Sequence, residues 1–137
     1  MKYDLICSLG GCCAPAMQIR QRNLQEKTLP FDWLFHVDDN QFKALSDAFR
    51  TDFKEWLQKE NMEELFGVER GTSENYQYKD NLTGFRYIHD FKKPIDDTEH
   101  FSIVRKKYKK RFERFLELVE SAETILFVSD AGKWNPN

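Results

Sequence analysis

Long apolar runs, a disulfide-forming set of cysteines and an excess of either charge are all missing from this sequence of 137 residues. No stretch approaches the ~20 apolar residues of a membrane-spanning helix. The apolar stretch at the N-terminus is interrupted by Asp4, and only Leu5-Ile6-Cys7 precede a turn at Ser8. A secretory segment needs about 7–15 apolar residues. The likeness of Leu9-Gly10-Gly11-Cys12 to a lipoprotein cleavage box, and of Ala14-Pro15-Ala16 to a signal-peptidase site, therefore carries little weight. Cytoplasmic residence is the expectation. Three cysteines, two of them adjacent at Cys12 and Cys13, make a poor disulfide framework, and none shows the paired CxxC spacing of a zinc site. Reduced thiols, no metal and no cofactor follow as expectations. With 21 basic and 23 acidic residues the formal charge is -2, which creates no global field toward nucleic acid or an anionic membrane. Neither is expected as a partner. The sequence has no internal repeat, low-complexity tract or linker, and it names no substrate and no oligomeric state.

What is present suffices for one domain, residues 1–137, since a hydrophobic share of 40% and an aromatic share of 15% can build a real core. Tyr3 to Leu9 reads as a buried strand ended by Gly10-Gly11. A helix should follow, with Pro15 in its first turn and Cys13, Met17 and Leu24 on one face through Gln25. Thr28 to Leu34 reads as an ordered, packed loop. Phe42, Leu45, Phe49, Phe53, Trp56 and Leu57 recur at helical steps, which predicts an amphipathic helix over Asp39 to Gln58, capped by Asp38 or Asp39. Asn61 to Phe66 should add one more turn, and Gly67 to Asn75 a surface loop. Tyr76-Gln77-Tyr78 and Phe85 to His89 flank Asn81-Leu82-Thr83-Gly84 as the arms of a β-hairpin. The longest helix is expected from Asp97 to Ser121, with Phe101, Val104, Tyr108, Phe112, Phe115 and Val119 on one face. A strand at Thr124 to Val128 closes the pattern. The fold class is α/β, a mixed or parallel sheet packed by helices, with the first and last strands in one sheet. So apolar a final strand would ordinarily be followed by further helix and strand, and Gly132 to Asn137 has neither pattern, so a C-terminally shortened domain is the expectation.

Ligands of parallel α/β sheets gather beyond the carboxyl ends of the strands, which nominates Ser8 to Cys13 and the segment containing Ser129, Asp130 and Gly132. A thiol at a helix start meets unpaired N–H groups and about half a positive charge, which favour the thiolate and can hold an oxyanion. The plainer alternative is that Cys12 and Cys13 are small buried hydrophobes, as most free cysteines are. A nucleophilic cysteine needs a base. His89, on a predicted strand, is the best placed, whereas His36 in a loop and His100 at a helix start suit the surface. Asp90 is a poor orienting partner because strand neighbours face opposite ways. Asp32 is the more plausible one, and Asp130 is another option.

Three motifs add a resemblance. Ser8-Leu9-Gly10-Gly11-Cys12-Cys13 fits SLGxxC, Pro30-Phe31-Asp32-Trp33 fits PFDW, and Thr83-Gly84 followed by His89-Asp90-Phe91 fits TG and HDF. Together they resemble the bacterial family designated "putative papain-like cysteine peptidase", DUF1796, over most of residues 3 to 128. That resemblance implies Cys13 as nucleophile, His89 as base and Asp32 as a further catalytic-site residue. The loop residues Ser8, Gly10 and Gly11, with the aromatic Trp33, are expected to line the substrate site. The function expected is a papain-like peptidase or a related thiol acyl hydrolase or transferase. A hydrolase using Ser8 is a weaker alternative. A non-catalytic module holding a carbohydrate, nucleotide or peptide in the same crevice is the alternative outside enzymes.

Overall fold

Parallel pairing of the first and last strands joins the two ends of the described chain. The computed structural model describes residues 2–36, 41–65 and 75–130. In chain order the elements are β1 (Leu5–Ser8), α1 (Ala14–Gln21), β2 (Leu34–Phe35), α2 (Gln41–Arg50), a short helical turn (Lys59–Asn61), β3 (Met62–Glu64), β4 (Tyr76–Asp80), β5 (Arg86–Phe91), α3 (Thr98–Ser121) and β6 (Ile125–Val128). β1 runs parallel to β6, with Leu5 opposite Ile125 and Ser8 opposite Val128. Asp4, which interrupts the apolar run in the sequence, starts this pairing. Its carboxylate accepts the N–H groups of Glu123 and Thr124 at 3.1 and 3.0 Å. The second sheet is antiparallel, ordered β2-β5-β4-β3. The two sheets touch where Gly11 forms a parallel bridge with Phe35 and its carbonyl accepts the His36 N–H at 3.1 Å. The fold is mixed α/β, and it contains the expected hairpin between β4 and β5.

α3 has the limits its sequence pattern predicts. Asp97 caps it by accepting the His100 N–H at 2.9 Å, which satisfies one of the open donors of the first turn. Phe101, Val104, Tyr108, Phe112 and Phe115 are buried along one face, each worth roughly 1.5–3 kcal/mol of apolar burial. Phe53 stacks on Phe112 at 4.4 Å, and Phe31 meets Phe115 edge-on at 5.4 Å. The PFDW loop is thus packed into the core, as expected for Thr28 to Leu34.

Three helical expectations need correction. The helix predicted over Asp39 to Gln58 ends at Arg50. The Thr51 hydroxyl turns back to the Asp47 and Ala48 carbonyls, and Asp52 and Phe53 take left-handed φ values of 50° and 60°. Each such residue costs about 1–2 kcal/mol, offset by the burial of Phe53, Trp56 and Leu57, whereas Phe42 is left exposed. The face expected to unite Cys13, Met17 and Leu24 is also different: α1 buries Pro15, Ala16 and Ile19, and Met17 and Leu24 are exposed. Third, Met62–Glu64 is not a helical turn but a strand paired with β4. The predicted caps Asp38 and Asp39, and most of the loop at 67–75, lie outside the described residues.

One irregularity places the candidate site. Tyr87 faces Tyr78 and Phe91 faces Tyr76, so three residues of β5 lie opposite the single residue Gln77. Such a bulge breaks the two-residue alternation of a strand and re-aims side chains. Here Asp90 turns inward, where it accepts from Tyr108 Oη at 2.8 Å and pairs with Lys107, while His89 turns out to the surface.

Candidate active site

The loop after β1 is built around two left-handed glycines. Gly10 and Gly11 have φ of 82° and 93°, and the Ser8 hydroxyl accepts the Gly10 N–H at 3.0 Å. A Cβ on Gly11 would lie 1.9 Å from the Asp130 carbonyl oxygen, so only glycine admits this approach. The segment after β6 closes on the same loop, with the Asp130 N–H donating to the Gly10 carbonyl at 3.1 Å. Gln41 of α2 ties both segments together by donating to the Leu9 carbonyl and to Ser129 Oγ. The two segments expected to border one crevice at the carboxyl ends of the parallel strands therefore pack directly against each other. Ser8 is fully buried beneath them and supports the turn.

The three free thiols occupy different environments. Cys7 is fully buried on β1, and burial, helped by the charge of Asp32, pushes it up to about 12. Cys12 donates to Asp130 Oδ2 at 3.2 Å while its sulfur accepts the Ala14 N–H at 3.4 Å. Burial is the first cause that raises its pKa, and the Asp130 hydrogen bond and charge add to it against the opposing Ala14 N–H. Cys13 is the N-cap residue of α1, half-buried, and its own carbonyl accepts the Met17 N–H. Its side chain makes no hydrogen bond among the described residues.

His89 stands on β5 next to β2, its ring 6.1 Å from Trp33 and 6.2 Å from Phe35. Phe35 is also the bridge partner of Gly11. β2 thus separates the cysteine loop from His89, and two strand spacings amount to about 9.5 Å between backbones. No hydrogen bond joins Cys13 to His89 among the described residues.

Asp32 is fully buried and belongs to a row of side chains beside this site. Its Oδ2 accepts from the Leu29 N–H at 2.9 Å, Gln25 at 2.7 Å and Arg20 at 3.2 Å. Burial raises its carboxyl pKa, and those three donors pull it back. Arg20 also lies over the Trp33 ring at 5.2 Å, so Asp32, Arg20, Trp33 and His89 form a continuous sequence of contacts. Arg20 went unread in the sequence, although its position seven residues after Cys13 puts both on one side of a helix. The link from Cys12 to Asp130 also went unread, because no local pattern announces a contact across 118 positions.

The other two histidines are structural. His36 is buried, not at the surface as its loop position suggested. Its ring lies 4.8 Å from Phe85, and Nε2 lies 3.2 Å from the Thr83 carbonyl. His100 Nε2 accepts the Lys92 N–H at 3.1 Å. Among the described residues no three His, Cys, Asp or Glu side chains are grouped to hold a metal ion, and no helix is long and apolar enough to cross a membrane.

No solved structure matches this chain. "Uncharacterized protein R408" of Acanthamoeba polyphaga mimivirus is 29% identical to it over 143 residues. The match covers 96% of this chain but 63% of that relative, so the chain spans less than two thirds of the relative's length. That relative is a viral protein. The family designated "Putative papain-like cysteine peptidase (DUF1796)" matches residues 4–137, and the chain belongs to it.

Proposed function

We propose that this chain is a papain-like thiol acyl hydrolase or transferase in which Cys13 is the nucleophile and His89 the base. His89 takes the Cys13 proton, and the thiolate forms a bond to the acyl carbonyl carbon. The resulting oxyanion is held by backbone N–H groups at the start of α1, the leaving group departs with the proton from the imidazolium, and water or another acceptor releases the acyl group. Peptide or amide cleavage is one case of this chemistry. The observation that carries the reading is the contrast among the thiols: Cys7 is buried and Cys12 is engaged by Asp130, while Cys13 stands half-open at a helix start.

Trp33 and Phe35 both stand against the His89 ring. The imidazole must approach Cys13 over β2 when substrate binds, in keeping with catalytic hydrogen bonds that tighten only in the loaded enzyme. Asp32 acts from the interior by fixing Arg20, and through it Trp33, beside the imidazole. Free thiols fit a reducing, cytoplasmic setting.

The test is acyl capture. After brief exposure to p-nitrophenyl acetate, peptide mass spectrometry should find the acetyl group on Cys13, and Cys13→Ala should abolish it. Acetylation of no cysteine, together with peptide or oligosaccharide binding undiminished in Cys13→Ala, would favour the non-catalytic module.

A further inference from the structure

We propose that Asp130 is a positioning residue for the Cys13 nucleophile, gripping the loop at Gly10, Gly11 and Cys12 and retaining the Cys12 proton so that negative charge at the start of α1 falls on Cys13. The inference rests on the assignment of Cys13 made above. Two adjacent thiols at one helix start compete for the same N–H groups and the same partial positive charge. The Cys12 sulfur already takes the Ala14 N–H at 3.4 Å. That donor favours the Cys12 thiolate, against the burial that opposes it. Asp130 Oδ2, 3.2 Å away, accepts the hydrogen of Cys12, a contact open only to the neutral thiol because a thiolate there would face a carboxylate.

The titratable groups that act on Cys12 are Asp130 and Cys13, and both oppose its ionisation, as does burial. The backbone of Asp130 contributes separately. Its N–H reaches the Gly10 carbonyl at 3.1 Å, and its carbonyl oxygen fills the space where a side chain on Gly11 would stand. One residue therefore touches the three positions that precede Cys13, and its carboxylate accepts from Cys12.

Site-resolved alkylation across pH tests this on the full chain, using iodoacetamide and fragment-ion mass spectrometry to separate the adjacent cysteines. Asp130→Asn should move the Cys12 profile to lower pH and raise the Cys12-to-Cys13 labelling ratio at neutral pH about threefold, a modest change because the carboxylate is exposed and screened. Asp130→Glu should restore the original ratio, and Asp130→Ser supplies a second neutral variant if the asparagine variant fails to fold. In a Cys12→Ala background, Asp130→Asn should leave the Cys13 profile in place. An unchanged Cys12 profile in both neutral variants would overturn the proposal, as would a Cys13 shift that persists without Cys12. Wild-type Cys13 reacting no faster than buried Cys7 would instead overturn the nucleophile assignment, leaving Asp130 as a hold on Cys12 alone.

Discussion

Tyr108 donates its hydroxyl to Asp90 at 2.8 Å, joining the middle of α3 to the bulge of β5. Burial pushes the Tyr108 phenol well above its ordinary range, with the Asp90 charge adding to it, so the hydroxyl stays a donor throughout the working pH range. Asp90 is anchored inward by this bond and by Lys107, and His89 beside it points outward. Tyr108→Phe removes the donor and leaves a buried carboxylate oxygen unmatched, at a cost of about 1–3 kcal/mol. Chemical denaturation should show that loss, and the variant should also acylate Cys13 more slowly because the bulge that presents His89 is loosened. Unchanged stability and unchanged acylation would remove this bond from the design of the site.

Gly11→Ala places a Cβ against the Asp130 carbonyl at a φ of 93°. Neither the backbone nor the contact can give way cheaply, so the expected loss is about 3 kcal/mol or more. The midpoint of urea unfolding measures it. A variant as stable as wild type would mean that the two segments beyond β1 and β6 do not meet as described.

Asp80, at the β4 end of the hairpin, accepts the N–H groups of Leu82 at 2.9 Å and Thr83 at 3.3 Å, and is fully buried. Burial raises its pKa above 3.8, more than those donors lower it. The folded state therefore holds the proton to higher pH than the unfolded state, and stability falls as pH rises from 3.8 through the folded pKa. Asp80→Asn keeps an acceptor oxygen and removes the titration. Relative to wild type the variant should gain in melting temperature as pH rises across that window. A difference that stays flat with pH would contradict the raised pKa.

The sequence disclosed what local physics dictates. α3 is legible because Asp97 supplies a cap and the apolar period continues unbroken to Phe115, and the hairpin because Gly84 sits in its loop with a φ of 78°. The end of α2 was hidden because Phe49, Phe53 and Trp56 keep helical spacing even where the backbone turns left-handed. Cys13 could be singled out from the strand, the two glycines and the helix that follow one another. The inward turn of Asp90, the buried ring of His36 and the grip of Asp130 on Cys12 depend on distant partners, Tyr108, Thr83 and the loop after β1. No periodicity encodes such meetings.

Among the thiols, Cys7 should resist iodoacetamide at neutral pH, since burial pushes it up to about 12 and closes it to reagent. It should react only on unfolding. Labelling of Cys7 as fast in folded as in unfolded protein would show that β1 does not lie in the core.

The most direct measurement is the rate at which p-nitrophenyl acetate acylates Cys13 in wild type and in His89→Ala, with circular dichroism confirming that both are folded. General-base catalysis contributes about 100-fold or more, so the variant should acylate at least about 100-fold more slowly at neutral pH. Equal rates in the two proteins would contradict the pairing of Cys13 with His89.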